Sequence, residues 1–194
     1  MNTHKRYIWL VWALLWVAPL LHAGNTGPRL KSASALVLDQ QSGRILYEKN
    51  ARDVVPIASI TKLMTAMVVL DGKPNMSEVL TISQADVDTL RHSYSRLPVG
   101  TRLSRLEMLR LALMSSENRA ASALSRAYPG GKAGFVKAMN RKAKALGLHY
   151  TQFRDPTGLY AQNVSSAREL ARMVAAAARY PLIRRFTTTP SHAQ

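Results

Sequence analysis

The sequence predicts an α+β domain on three observations. Near residue 40, two short apolar runs flank a loop that ends in glycine, which is a hairpin signal. After residue 104 the chain reads as successive helices, punctuated by Ser-x-x-Glu caps, glycines and prolines. One helix, near residue 60, falls between the hairpin and a further short strand near residue 80, and helices then follow one another without intervening strands, the order of an α+β chain rather than of a regularly alternating α/β one. A length of 194 residues with 47% apolar content is enough for one domain with a real core.

The chain opens with Met1-Asn2-Thr3-His4-Lys5-Arg6, a basic segment, followed by an apolar run from Tyr7 to Leu21 and a small residue, Ala23, before Gly24. This is the pattern of a secretory signal peptide over residues 1–23, with an uncleaved anchor as the alternative. Once the signal is cut, no stable membrane span is expected. Residues 24–32 read as a flexible leader, and residues 33–194 as the folded part. There are no cysteines, so disulfides, thiolate chemistry and Cys-based metal sites are excluded. The five histidines lack metal spacing, so neither a metal nor a cofactor is expected. The formal charge of +16 would suggest nucleic acid in a cytosolic chain, but export removes that partner. An anionic extracytoplasmic polymer fits better, beside the plainer reading of a solvated, arginine-rich surface.

Ser34 to Asp39 and Arg44 to Glu48 read as the hairpin strands, with Gln40-Gln41-Ser42-Gly43 between them. Ile60, Leu63, Met64, Met67, Val68 and Leu70 keep helical spacing, and Asp71-Gly72-Lys73-Pro74 stops that helix. Val79 to Ile82 predicts a short strand, and Ser83 predicts the N-cap of a helix running through Leu90. Residues 91–103 lack periodicity and read as loop. Ser104-Arg105-Leu106-Glu107 is a capping box for a helix to Met114. After the polar break Ser115-Ser116-Glu117-Asn118, a second helix runs from Arg119 to Tyr128 and is stopped by Pro129-Gly130-Gly131. Lys132 to Leu146 is a further amphipathic helix, with Gly147 at its C′ position. Asp155-Pro156-Thr157-Gly158-Leu159 predicts a rigid turn, and Ser166-Ala167-Arg168-Glu169 caps a helix to Arg179, ahead of Pro181.

The chemistry concentrates in Pro56-Ile57-Ala58-Ser59-Ile60-Thr61-Lys62. Residues three apart on a helix share a face at about 5 to 6 Å between Cβ atoms, so the Lys62 amine can reach the Ser59 hydroxyl. A serine becomes a nucleophile only when a neighbouring base takes its proton, and Ser-Lys is an established alternative to Ser-His-Asp. The lysine must then be neutral, which requires a walled, mostly dry site. The Ser-x-x-Lys pattern alone turns up by chance about once in a chain of this length, so its weight depends on what accompanies it.

What accompanies it is Met114-Ser115-Ser116-Glu117-Asn118-Arg119-Ala120-Ala121, then Asp155-Pro156-Thr157-Gly158-Leu159 and Tyr180-Pro181-Leu182-Ile183. With these segments in this order, the chain resembles the serine-type D-alanyl-D-alanine carboxypeptidases and endopeptidases, the low-molecular-mass penicillin-binding proteins, from about Ala33 to Thr188. The resemblance implies the penicillin-recognising (β-lactamase/transpeptidase-like) fold: an N-terminal β-hairpin plus a mostly helical subdomain. It also implies catalytic Ser59, Lys62 and Ser116, with Ser59 as nucleophile, Lys62 as base and Ser116 passing the proton to the leaving amine. Asn118 would bind the substrate amide and help hold Lys62. The implied partners are peptidoglycan peptide stems as substrate and β-lactam antibiotics as covalent inhibitors, in the periplasm.

The third motif of that family, Lys-Thr-Gly on a strand lining the cleft, is absent from these residues; Lys132, Lys137, Lys142 and Lys144 all fall in one helix. The resemblance therefore implies an incomplete catalytic domain whose C-terminal sheet strands are missing. It also implies loss of an oxyanion donor, an effect on the order of 100- to 1,000-fold in rate. The alternatives are a catalytically inactive, truncated wall-binding or vestigial member, or a class A-like β-lactamase using Glu169 to activate water.

Overall fold

The computed structural model describes residue 28 and residues 30–190. The signal-peptide assignment to residues 1–23 and most of the 24–32 leader lie outside these residues. The hairpin forms as expected: β1 (Ala35–Leu38) pairs antiparallel with β2 (Ile45–Lys49). Its loop is closed by the Asp39 carboxylate accepting the Ser42 N–H at 2.7 Å, with Gly43 at φ 70°. A two-residue strand, β3 (Val55–Pro56), leads into a 3₁₀ turn (Ala58–Ile60) and helix α1 (Thr61–Asp71).

Helix α1 is the axis of the domain, packed by the five α-helices introduced below. Met64, Ala66 and Met67 are fully buried, and so are the polar Thr61 and Thr65. A helix apolar on nearly every side can only be stable inside a core. Ile60, placed by its spacing on the apolar stripe, is instead exposed, because it belongs to the 3₁₀ turn that precedes the helix.

β4 (Val79–Thr81) forms where the sequence predicts a strand, but its partner β5 (Arg102–Ser104) takes up the end of the stretch read as loop and runs into the Ser104 cap. A helix from Ser83 through Leu90 does not form, and only a 3₁₀ turn over Gln84–Asp86 is present. Ser83 caps that turn, its N–H donating to the Asp86 carboxylate at 2.8 Å as in a capping box, and its hydroxyl also bonds that carboxylate. The chain then leaves the helical path because the Asp88 carboxylate accepts the N–H groups of Leu90, Arg91 and Ser93. Such local side-chain bonds compete directly with helix hydrogen bonds.

The remaining helices are α2 (Arg105–Met114), α3 (Asn118–Arg126), α4 (Gly131–Ala145), α5 (Ala167–Ala177) and α6 (Pro181–Thr187). Both serine N-caps form, Ser104 Oγ accepting the Glu107 N–H at 3.2 Å and Ser166 Oγ that of Glu169 at 3.3 Å. The Glu169 carboxylate is held by His149, Tyr150 and Thr151 rather than closing a box with Ser166. Gly131, read as part of a stop, opens α4 instead, the left-handed Gly130 turning the chain directly into it. Pro181 likewise starts a helix, as its fixed φ and missing N–H suit a first turn. Alanines 120, 121 and 123 are fully buried, and small side chains let α3 approach its neighbours closely. A last ribbon pairs β3 with β6 (Val164–Ser165). Among the described residues, no helix is long and apolar enough to cross a membrane.

Candidate active site

Ser59 stands in the 3₁₀ turn ahead of α1, exposed, and Lys62 stands in the first turn of α1 with only 3% of its surface exposed. The Lys62 amine donates to Ser59 Oγ at 3.1 Å, to Asn118 Oδ1 at 2.7 Å and to the Thr157 carbonyl at 2.8 Å. Burial pulls its pKa down to about 8, against the opposing pull of the Asp155 and Glu117 carboxylates.

This geometry decides what the amine can do. A protonated lysine fills its three donors with these three oxygens. Once one proton is lost, two N–H bonds remain, and two of the three partners are carbonyl oxygens that can only accept. The lone pair is then left to the one partner that carries a proton, the Ser59 hydroxyl. The geometry allows a proton to pass from the Ser59 hydroxyl to the Lys62 amine.

Several elements hold that geometry. Asn118 opens α3, and its amide Nδ2 donates to Ser93 Oγ at 2.9 Å, which fixes which end of the side chain faces Lys62. Glu117 caps α3 by accepting the Arg119 N–H at 3.1 Å and also accepts the Ser95 hydroxyl at 2.7 Å. On the other side, the Asp155 carboxylate accepts the backbone N–H groups of Thr157, Gly158 and Tyr160, together with the Thr157 hydroxyl. Thr65 Oγ1 donates to the Pro156 carbonyl at 2.7 Å, and fully buried Asn163 links Thr61 Oγ1 to the Asp155 carbonyl.

The approach of this turn to the nucleophile is close enough to exclude any side chain. A Cβ on Gly158, whose φ is +89°, would lie 1.9 Å from the Ala58 carbonyl oxygen. Ala58 itself has φ 44° and Ser116 has φ 57°, two non-glycine residues in the left-handed region beside the candidate residues. Strain of this kind, about 1 to 3 kcal/mol each, persists only where surrounding contacts enforce it.

Of the four residues singled out from the sequence, Ser59, Lys62 and Asn118 are hydrogen-bonded together. Ser116 lies two positions before Asn118, exposed, and its hydroxyl makes no hydrogen bond among the described residues. Glu169 is fully engaged elsewhere: buried, it accepts the N–H groups of His149 and Tyr150 and the hydroxyl of Thr151. Sequence reasoning missed Ser93, Asn163 and the Thr157 carbonyl. The Asp155-Pro156-Thr157-Gly158 turn was visible as a turn, but which backbone atom it would aim at Lys62 was not.

The family profile described as D-alanyl-D-alanine carboxypeptidase, peptidase S11, matches residues 22–194. A D-alanyl-D-alanine endopeptidase of Pseudomonas aeruginosa is 56% identical over 161 residues, covering 83% of this chain and 52% of that protein. One from Escherichia coli is 47% identical over 162 residues, covering 84% and 52%. Among solved structures, a DD-transpeptidase from Streptomyces superposes with a TM-score of 0.76 at 28% identity, covering 83% of this chain and 66% of the other. A D-alanyl-D-alanine carboxypeptidase from Mycobacterium tuberculosis gives 0.77 at 28%, covering 88% and 65%. The chain spans about half the length of the curated relatives it matches, 52% of each of the two endopeptidases. The α+β fold is therefore that of the penicillin-binding DD-peptidases, and with its Ser59–Lys62 pair, its second motif and this likeness together, the chain belongs to the D-alanyl-D-alanine carboxypeptidase family, peptidase S11.

Proposed function

We propose that the chain is a serine-type D-alanyl-D-alanine peptidase acting on peptidoglycan stem peptides in the periplasm through an acyl-enzyme on Ser59. The observation that carries this reading is the buried Lys62 amine, 3.1 Å from Ser59 Oγ, with both of its other partners carbonyl oxygens. Ser59 Oγ attacks the carbonyl carbon of the penultimate D-alanine while its proton moves to Lys62. The C–N bond breaks, and the departing amine takes a proton relayed through Ser116. Water then cleaves the resulting ester and restores Ser59. Asn118, with one amide N–H not used by Ser93, holds the substrate amide. The names of the relatives favour endopeptidase action on cross-links. A β-lactam presents a strained amide to the same serine and is expected to acylate it.

The test is the intact mass of the purified chain after incubation with benzylpenicillin, with Ser59→Ala in parallel. A penicilloyl adduct that requires Ser59 supports the reading. A folded chain that never gains the adduct overturns it in favour of a non-catalytic wall-binding role. Digestion of purified muropeptides separates the two activities, since cross-linked dimers fall to monomers under an endopeptidase, whereas a carboxypeptidase releases free D-alanine.

A further inference from the structure

The Asp155 carboxylate is buried, and its hydrogen-bond donors are all neutral: the N–H groups of Thr157, Gly158 and Tyr160 and the Thr157 hydroxyl. Among the described residues it joins no ion pair. A turn of this kind needs an acceptor oxygen, which the side chain of asparagine or serine supplies as well. Burying a full charge with no cation in contact is costly, so its presence calls for a role that a neutral oxygen cannot fill.

The cation within its reach is Lys62. Thr157 joins the two, giving its N–H and hydroxyl to Asp155 and its carbonyl to the Lys62 amine at 2.8 Å. Burial lowers the Lys62 pKa to about 8, and Asp155 is the larger of the two charges that resist this, Glu117 ahead of α3 being the other. The remaining charged groups on the surrounding elements are engaged elsewhere. Asp71, the other charged residue of α1, ends that helix and pairs with Lys142. Arg91 and Arg119 donate to the Leu159 and Leu97 carbonyls, and Asp88 accepts N–H groups of its own loop. His92 and Arg154 are exposed.

We infer that Asp155 is a positioning residue for acyl transfer, its carboxylate holding the Thr157 carbonyl on the Lys62 amine and supplying the counter-charge for the ammonium that forms when Ser59 gives up its proton. The inference rests on the proposed peptidase reading in one respect, that Lys62 is the base. In acylation the Ser59 O–H bond breaks as its oxygen bonds to the substrate carbonyl carbon, and the proton adds to Lys62 Nζ. Positive charge appears on Nζ as negative charge moves to the substrate oxygen. A fixed carboxylate lowers the energy of the first without having to reorganise. With Asp155 neutralised, the amine stays unprotonated to lower pH but is a weaker base, so the reactive range widens towards acid while the limiting rate falls. A carboxylate that only held the turn would act in the other direction. Its loss would leave a looser, wetter site, in which the Lys62 pKa rises towards its ordinary value of 10.5.

The experiment follows Lys62 both directly and through the reaction. In chains carrying isotopically labelled lysine, the Lys62 signal is identified by its loss in Lys62→Met and titrated by NMR in the parent and in Asp155→Asn. The rate of penicilloylation by benzylpenicillin is measured in the same two chains from about pH 5.5 to 9.5, a range that brackets the Lys62 titration. In Asp155→Asn both midpoints are expected about one pH unit lower. The limiting rate should fall by about threefold to tenfold. Asp155→Glu keeps the charge and should keep both midpoints where the parent has them, and it carries the test if Asp155→Asn does not fold. An unmoved or raised midpoint in folded Asp155→Asn, or a raised one in Asp155→Glu, would overturn the inference and reduce Asp155 to a turn former. A parent that is never penicilloylated, but whose Lys62 titration moves down in Asp155→Asn, would sink the catalytic reading and leave the coupling of Asp155 to Lys62 standing.

Discussion

Helix α1 and the β1–β2 hairpin are both apolar stretches, yet the fold treats them oppositely. α1 is enclosed by helices, and its first turn is tied to the 155–163 segment through Thr61 and Thr65. The hairpin leaves Val37 47%, Leu38 38%, Ile45 38% and Leu46 55% exposed. Apart from its own ladder and the Asn50–Ala33 bond that closes its open end, it packs against α5 and is tied there by the Arg168 N–H donating to the Ala51 carbonyl and by the Arg168–Glu48 ion pair. Apolar composition alone therefore does not decide burial. The candidate catalytic pair is built where backbone and side chain are over-determined, and the hairpin is coupled to it only loosely.

If that contrast is right, the largest effect comes from a single methyl group at the tightest approach. Gly158→Ala would push against the Ala58 carbonyl, backbone against backbone, and should cost more than about 3 kcal/mol in denaturant unfolding while abolishing penicilloylation. A stable, reactive Gly158→Ala chain would mean that the turn is not rigid.

The pH dependence of acylation comes next. Lys62 acts as a base only when neutral, and burial has brought its pKa down to about 8, so the reactive fraction grows as pH rises through that value. The rate should climb about tenfold per pH unit from pH 6 and level off above about 8. A flat profile across that range would remove Lys62 from the role of base.

Ser93→Ala tests the partner that orients Asn118. Loss of one neutral hydrogen bond, about 1 kcal/mol, should slow acylation by roughly fivefold with little change in folding. A loss as complete as that of Ser59→Ala would instead place Ser93 among the reacting groups. The smallest effect is expected on the hairpin. Leu46→Ser, at an exposed position, should change stability by less than about 0.5 kcal/mol and leave acylation unaltered. A large response there would show that the hairpin supports the site after all.

Legibility in the sequence followed the range of the forces involved. The hairpin, α1 and both Ser-x-x-Glu caps were readable because their signals repeat every two or three to four residues. The Ser83 cap was readable too, yet the helix it announces is cut short by Asp88, whose competition with the helix has no periodic signature. The ribbons β3–β6 and β4–β5 escaped because strands of two or three residues are too short to show alternation, and each pairs with a segment distant in sequence. Pro181 could be read as a stop or a start, and only its place after a finished helix made it a start.

The sequence by itself determined that Ser59 and Lys62 face one another, since helical spacing needs nothing beyond the local backbone. It also determined the family, through two motifs in order. Tertiary structure alone decided that Lys62 is buried, which of its partners are pure acceptors, and that the Thr157 carbonyl, 95 positions along the chain, meets its amine. Backbone carbonyls are chemically identical at every residue, so which of them comes to an active site is written only in how the chain packs.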